Sequence, residues 1–235
     1  NFHETTKGRI AFQDGVYDFA AARFFLWSQV DFEYYTCVRI PYNGSDVFAS
    51  RNQVVIDEVK STIFDNLFGD SCDLALRMFA RSMAGHWEDK IWSSYMGNRN
   101  CGKGVLEKLF RSAFAGYVQS VDMANFVCVR ATKCDQAKEK AWALCLEFAR
   151  QSFAQENSDA DAGCKYNGNI IKSICSGTDT HLARPLYKNI HEFNIQTSLM
   201  FLSNDEPNIV PADTWEKGIK YQSTVQFKDA AWIAD

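Results

Sequence analysis

The 235 residues, 46% hydrophobic and 14% aromatic, hold enough apolar material for a sizeable core in one large or two small domains, which excludes a disordered tail. A net charge of −4 excludes a global basic field, so any nucleic-acid contact has to be local. No apolar run approaches the length of a membrane span and no signal-peptide pattern opens the chain, so the expected protein is soluble and intracellular, without a membrane partner.

The chain does not begin with Met and reads as a piece of something longer. Residues 1–48 alternate apolar and polar side chains in short runs. Strands are expected at Arg9 to Phe12, Val16 to Phe19 and Arg23 to Leu26, with a tight turn at Asp14 and Gly15. Over 49–90 the pattern becomes helical. Val54, Val55, Val59, Ile63, Phe64 and Leu67 recur at helix spacing up to Gly69, and Leu74, Leu76, Met78, Phe79 and Met83 form a second run closed by Gly85. These two helices are expected to form a collar.

From Ile91 a short apolar strand leads into a glycine loop and then an amphipathic helix over Val105 to Phe114. Gly97, Gly102 and Lys103 stand at the spacing G-x-x-x-x-G-K, the phosphate-binding loop. Glycines let backbone N–H groups approach phosphate oxygens, the helix start adds a positive dipole end, and lysine reaches the outer phosphates. The following position, where Ser or Thr usually offers a hydroxyl to Mg²⁺, is Gly104.

Beyond the loop, Tyr117 to Val121 reads as a strand, Gln136 to Phe148 as a helix, and Arg150 to Glu156 as a strand ending in an acid. Asn167 to Cys175 is expected to be helical, stopped near Gly177. Arg184 to Phe193 fits a hairpin or an extended loop, and Ser198 to Ser203 an apolar strand ending in Asn204. Apolar strands alternating with helices, with acids and amides at strand ends, predict an α/β protein with its site at the C-terminal edge of a parallel sheet. The eight cysteines include no C-x-x-C pair and are read mostly as small, buried, reduced hydrophobes.

The phosphate loop, the run from Asp135 to Trp142, Gln155 and Glu156, the run from Ser176 to Lys188, and Phe201 to Pro207 occur in an order that resembles superfamily III helicases of the viral and phage primase–helicase family, those of nucleocytoplasmic large DNA viruses above all. The segment around Asp14 to Asp18 resembles the region preceding the helicase in those proteins. The resemblance implies an AAA+-like P-loop NTPase core over 91–235, lacking its C-terminal end, after the β-rich segment (1–48) and the helical collar (49–90). It implies an ATP- and Mg²⁺-dependent helicase that translocates on single-stranded DNA as a homo-oligomeric, usually hexameric, ring, working with a primase domain or polymerase at a viral replication site.

Carried over residue by residue, Gly97, Asn98, Arg99, Asn100, Cys101, Gly102, Lys103, Gly104 and Val105 would cradle the phosphates. Glu156 would polarise the attacking water and help hold the metal, although Gln155 stands where Asp or Ser is more usual. Asn204 would be the sensor beside the γ-phosphate. Lys172, Arg184, Lys188 and His191 would contact DNA. The family's arginine finger would lie in the segment from Ala212 onward, but no Arg follows Arg184. Either a lysine substitutes, or the finger lies beyond these residues, or trans activation is lost. An alternative reading is a nucleotide-binding assembly module that loads a primase or polymerase with little or no unwinding.

Overall fold

The computed structural model describes residues 5–31, 34, 36–128, 140–156, 164–184 and 187–227. Its centre is a five-stranded parallel sheet built from β4 (Trp92–Met96), β5 (Val118–Asp122), β6 (Gln151–Gln155), β10 (Ser198–Ser203) and β12 (Gly218–Gln222). Their order is β12-β4-β10-β6-β5. Counted within the sheet this is 5-1-4-3-2, so the strand preceding the glycine loop and the strand ending in the acid flank β10 on either side. Met200 to Ser203 lie in register with Ser93 to Met96. Ser198 to Leu202 lie in register with Gln151 to Gln155.

Strands buried on both faces alternate their side chains between two cores. Tyr95, Phe153, Met200 and Leu202 join Phe79, Met83, Leu106 and Phe110 on one face. Trp92, Ala154, Leu199 and Phe201 join Phe126, Leu146, Ile171 and Ile174 on the other. The first face is covered by helices α3 (Cys72–Met83) and α4 (Lys103–Phe114), the second by α5 (Gly168–Ser176) and a 3-10 segment, Lys140–Leu146. The expected helix from Gln136 is thus a 3-10 turn where it is described; residues 136–139, with Asp135, lie outside the described residues. Where Arg184 to Phe193 left two possibilities, an antiparallel hairpin forms from β8 (Thr180–Ala183) and β9 (His191–Asn194).

Ahead of the sheet, β1 (Arg9–Ala11), β2 (Gly15–Asp18) and β3 (Arg23–Leu26) form an antiparallel meander where strands were expected. Asp14, in the turn, accepts hydrogen bonds from the backbone of Gly44 at 2.7 Å and Ser45 at 3.2 Å, fixing the start of helix α1 (Gly44–Ala49). Helix α2 (Gln53–Val59) continues through a π turn, Lys60–Phe64, into Asp65–Phe68. Only its last turns pack, through Leu67 and Phe68, so Val54 and Val55 are exposed despite their helical spacing. In α3 the buried face is Cys72, Ala75, Phe79 and Met83; Leu74, expected to be apolar core, points to solvent. Of the seven described cysteines, Cys72, Cys101 and Cys175 are buried and Cys37, Cys128 and Cys145 exposed, so burial is less general than expected.

Two buried groups join the meander to the sheet. Tyr117, just before β5, donates its hydroxyl to the Val38 carbonyl at 2.9 Å and accepts from Ala11 N at 3.1 Å. Arg150, just before β6, lies over the Tyr117 ring and donates to the carbonyls of Met83 and, at 2.6 Å, Thr6. Burial lowers the guanidinium pKa, yet the charge is met by carbonyl dipoles and a ring face rather than by a carboxylate in these contacts.

Candidate active site

At the C-terminal edge of the sheet, β4 runs straight into the glycine loop. The loop needs glycine at two places. A Cβ on Gly97 would stand 2.8 Å from both Cys101 Sγ and Ser223 Cβ, and Gly102 combines φ +93° with a Leu67 methyl 2.4 Å from where its Cβ would be. Asn100 also has positive φ, a conformation Asn tolerates better than most side chains. Gly102 caps α4, which starts at Lys103, so the first backbone N–H groups of a twelve-residue helix face the cleft without intrahelical partners.

Lys103 folds its ammonium back over this loop. It donates to the carbonyls of Gly97 and, at 3.3 Å, Asn98, lies 3.5 Å from Cys101 Sγ, and donates to Asn204 Oδ1 at 2.9 Å. Asn204 follows β10, and its backbone N–H donates to Glu156 Oε2 at 2.8 Å. Glu156 follows β6 and is fixed through its own N–H to the Leu202 carbonyl at 3.1 Å. Three residues separated by up to 101 positions are therefore joined by two hydrogen bonds, one through the Asn204 side chain and one through its backbone. The strand order is the cause: β10 lies between β4 and β6, so its end meets the loops that leave both neighbours.

The cleft here has a volume of about 590 Å³ and is lined by Arg99 to Val105, Lys108, Asn204 and Phe227. Unlike the other two loop glycines, Gly104 has nothing within 4 Å of a Cβ position, so its lack of a hydroxyl is not imposed by crowding. Sequence reasoning missed two polar neighbours. Asp122 ends β5 in register with Gln155, which brings a second carboxylate to the strand end beside Glu156. Tyr166, on the short strand β7 (Tyr166–Asn167) that pairs with β11 (Ile209–Val210), has its phenol pKa raised by burial, by Cys164, and by the charges of Glu156 and Asp122. No spacing motif marks either residue.

The four basic residues expected to contact DNA lie elsewhere. Lys172, on α5, pairs with Asp213 at 2.8 Å and shares a cleft with Trp92, Thr214 and Lys217, at the opposite edge of the sheet. Arg184 follows β8, and Lys188 stands exposed in the hairpin loop beside Tyr187, which is 98% exposed. His191, on β9, meets Glu147 at 3.1 Å and stacks on Phe193. Thus Arg184, Lys188 and His191 share one hairpin, while Lys172 belongs to another surface. Lys217 and Lys220, in the segment that would carry an arginine finger, flank the start of β12; Lys220 pairs with Glu206 at 2.6 Å.

No protein-family model matches the chain. A 213-residue alignment is 26% identical to the protein named "Putative helicase V13" of the Sputnik virophage, covering 89% of this chain and 26% of that protein. Among solved structures, the apo NrS-1 C terminal region aligns with a TM-score of 0.55 at 16% identity, over 74% of this chain and 40% of that one. An A form apo structure of the same region gives 0.53 at 15% identity, with the same coverage. The chain therefore spans about a quarter of the curated relative and two fifths of the solved chains. The fold is a mixed α/β fold of P-loop NTPase type, organised on a five-stranded parallel sheet.

Proposed function

We propose that this chain is the ATP-hydrolysing motor of a DNA helicase. The observation that carries the reading is the hydrogen-bonded series from Lys103 through Asn204 to Glu156, set against a glycine loop at a helix N-terminus. In this reading the N–H groups of the loop and of the first turn of α4 bind the phosphates, and Lys103 neutralises charge on the outer ones. Glu156 orients and polarises the attacking water, while Asn204 positions both Glu156 and the γ-phosphate. The virophage relative, named as a helicase, supports the same class of function.

Magnesium would arrive on the nucleotide. Among the described residues no group of three or more His, Cys, Asp or Glu could hold a metal alone, which suits an ion bound mostly by phosphate and water, with Glu156 as the protein's acid. The finer parts of the reading go together: an AAA+-like, superfamily III core over 91–235 behind a β-rich segment and a helical collar, assembled as a ring, usually hexameric, on single-stranded DNA beside a primase. The sequence resemblance points to proteins of nucleocytoplasmic large DNA viruses, at viral replication sites. Glu156→Gln should retain ATP binding while losing DNA-stimulated hydrolysis, because the amide keeps the shape without the charge. Equal loss of binding and turnover would assign Glu156 a structural role instead.

A second reading is favoured by Gly104 and by Gln155: a module that binds nucleotide to assemble a primase or polymerase. A parent protein that binds ATP tightly but shows no hydrolysis with single-stranded DNA would select it.

A further inference from the structure

We propose that Phe227 is the base-stacking residue of the nucleotide site, giving it a purine platform beside the glycine loop; the inference rests on the reading of that loop as a phosphate site. After β12 the chain turns back along the outside of that loop. Ser223 N donates to the Met96 carbonyl at 2.8 Å, Gln226 Nε2 to the Arg99 carbonyl at 3.2 Å, and Phe227 N to the Asn100 carbonyl at 2.8 Å. Three bonds over five residues tie this strap to Met96, at the end of β4, and to Arg99 and Asn100 in the loop, and fix where the Phe227 ring begins. The ring lies 3.1 Å from the position a Cβ on Gly102 would take, and it lines the same cleft as Lys103 and Asn204.

A packing role does not account for that ring. Phe227 belongs to none of the three buried clusters and is 45% exposed, with its ring on the lining of the cleft. The cleft has a second exposed apolar side chain, Val105, at 56%, with Lys108 one helical turn further on the same face of α4. The lining thus combines polar groups, Lys103 and Asn204, with exposed apolar ones, Val105 and Phe227. A volume of about 590 Å³ is ample for a nucleotide. A triphosphate satisfies the polar groups; the exposed apolar side chains suit a flat aromatic ligand part. Phenylalanine offers a π face and no hydrogen-bonding group, so it should favour purines by stacking area without distinguishing adenine from guanine.

The test compares binding of ATP, GTP, CTP and inorganic tripolyphosphate, each with magnesium, to the parent, Phe227→Ala and Phe227→Trp by calorimetry. Expected are a loss of about tenfold in ATP and GTP affinity for Phe227→Ala, unchanged tripolyphosphate affinity, and parent-like purine binding for Phe227→Trp. ATP binding undiminished in Phe227→Ala would overturn the proposal. So would an equal loss of ATP and tripolyphosphate, which would make the strap only a brace for the loop. A parent that binds none of the four ligands would instead overturn the phosphate-site reading beneath it.

Discussion

Lys103 is the residue on which the site converges, since its ammonium meets both the loop carbonyls and Asn204. Lys103→Ala should abolish hydrolysis and weaken nucleotide binding at least tenfold, as the outer phosphates lose their fixed positive charge. Titration with a non-hydrolysable ATP analogue, alongside phosphate release, would check both halves. Gly104 offers the converse experiment. Open space surrounds its Cβ position, so Gly104→Ser should fold as the parent does and alter stability by no more than about 0.5–1 kcal/mol, in the stabilising direction. The added hydroxyl stands where a magnesium ligand is usual, so half-maximal hydrolysis should need less magnesium. An unchanged magnesium requirement would mean that the ion lies away from this position.

At the scale of elements, the hairpin carries a built-in pH dependence. His181, on β8, is buried against Phe193, and its Nε2 has no hydrogen-bond partner among the described residues. Burial, aided by the charge of Lys140, holds its pKa below the ordinary 6.5; Asp179 and the Ser173 backbone pull the other way without prevailing. The unfolded chain therefore binds the proton more readily. This residue's contribution is intact above pH 6.5 and is lost as pH falls through the lowered folded value. Thermal midpoints between pH 7.5 and 5 should fall for the parent and fall less for His181→Gln. Parallel slopes would exclude His181 as the source.

The elements themselves were uneven to read. β4, β6 and β10 were legible because they are short runs ending in glycine, acid or amide, and those endings are also why Lys103, Glu156 and Asn204 could be singled out. β12 was not, because Gly218 to Gln222 mixes Lys and Gln with Ile and Tyr, as an edge strand does, and only its ladder with β4 identifies it. Asp122 and Tyr166 were invisible for the same reason: register and packing, rather than spacing along the chain, bring them to Glu156. In α2 and α3 helical periodicity was right about the helices and wrong about Val54 and Leu74, since periodicity reveals an apolar stripe but not how much of it finds a partner.

For the whole molecule, a net charge of −4 requires a concentrated basic element if DNA is to be held. The hairpin loop is the best placed, with Lys188 and Tyr187 exposed and Arg184 and His191 at its strands. Lys188→Ala should weaken single-stranded DNA binding and reduce the slope of log K against log salt by about 0.7 for each phosphate that is no longer neutralised. Lys172→Ala, on the other surface and already paired with Asp213, should do neither. Fluorescence anisotropy at several salt concentrations would separate the two lysines, and equal effects would move the DNA path away from the hairpin.

The buried Arg150 bears on how this chain can be divided. Its guanidinium draws on the carbonyls of Thr6 and Met83 and on the face of Tyr117, whose hydroxyl in turn reaches Ala11 and Val38. A fragment cut to begin at the helices, or at β4, would keep the cation and discard Thr6 and the shielding meander. That cut would open Arg150 to water and uncover Tyr117, Phe114 and Phe148, which pack with Ile10, Phe12 and Ile40. Each large side chain exposed costs about 1.5–3 kcal/mol, and together they amount to much of the margin by which a domain of ordinary stability stays folded. The meander is therefore expected to behave as a wall of the sheet domain and not as a detachable neighbour. In exchange of modules between related proteins, the meander and the sheet should be inherited together, with the joint passing ahead of Thr6.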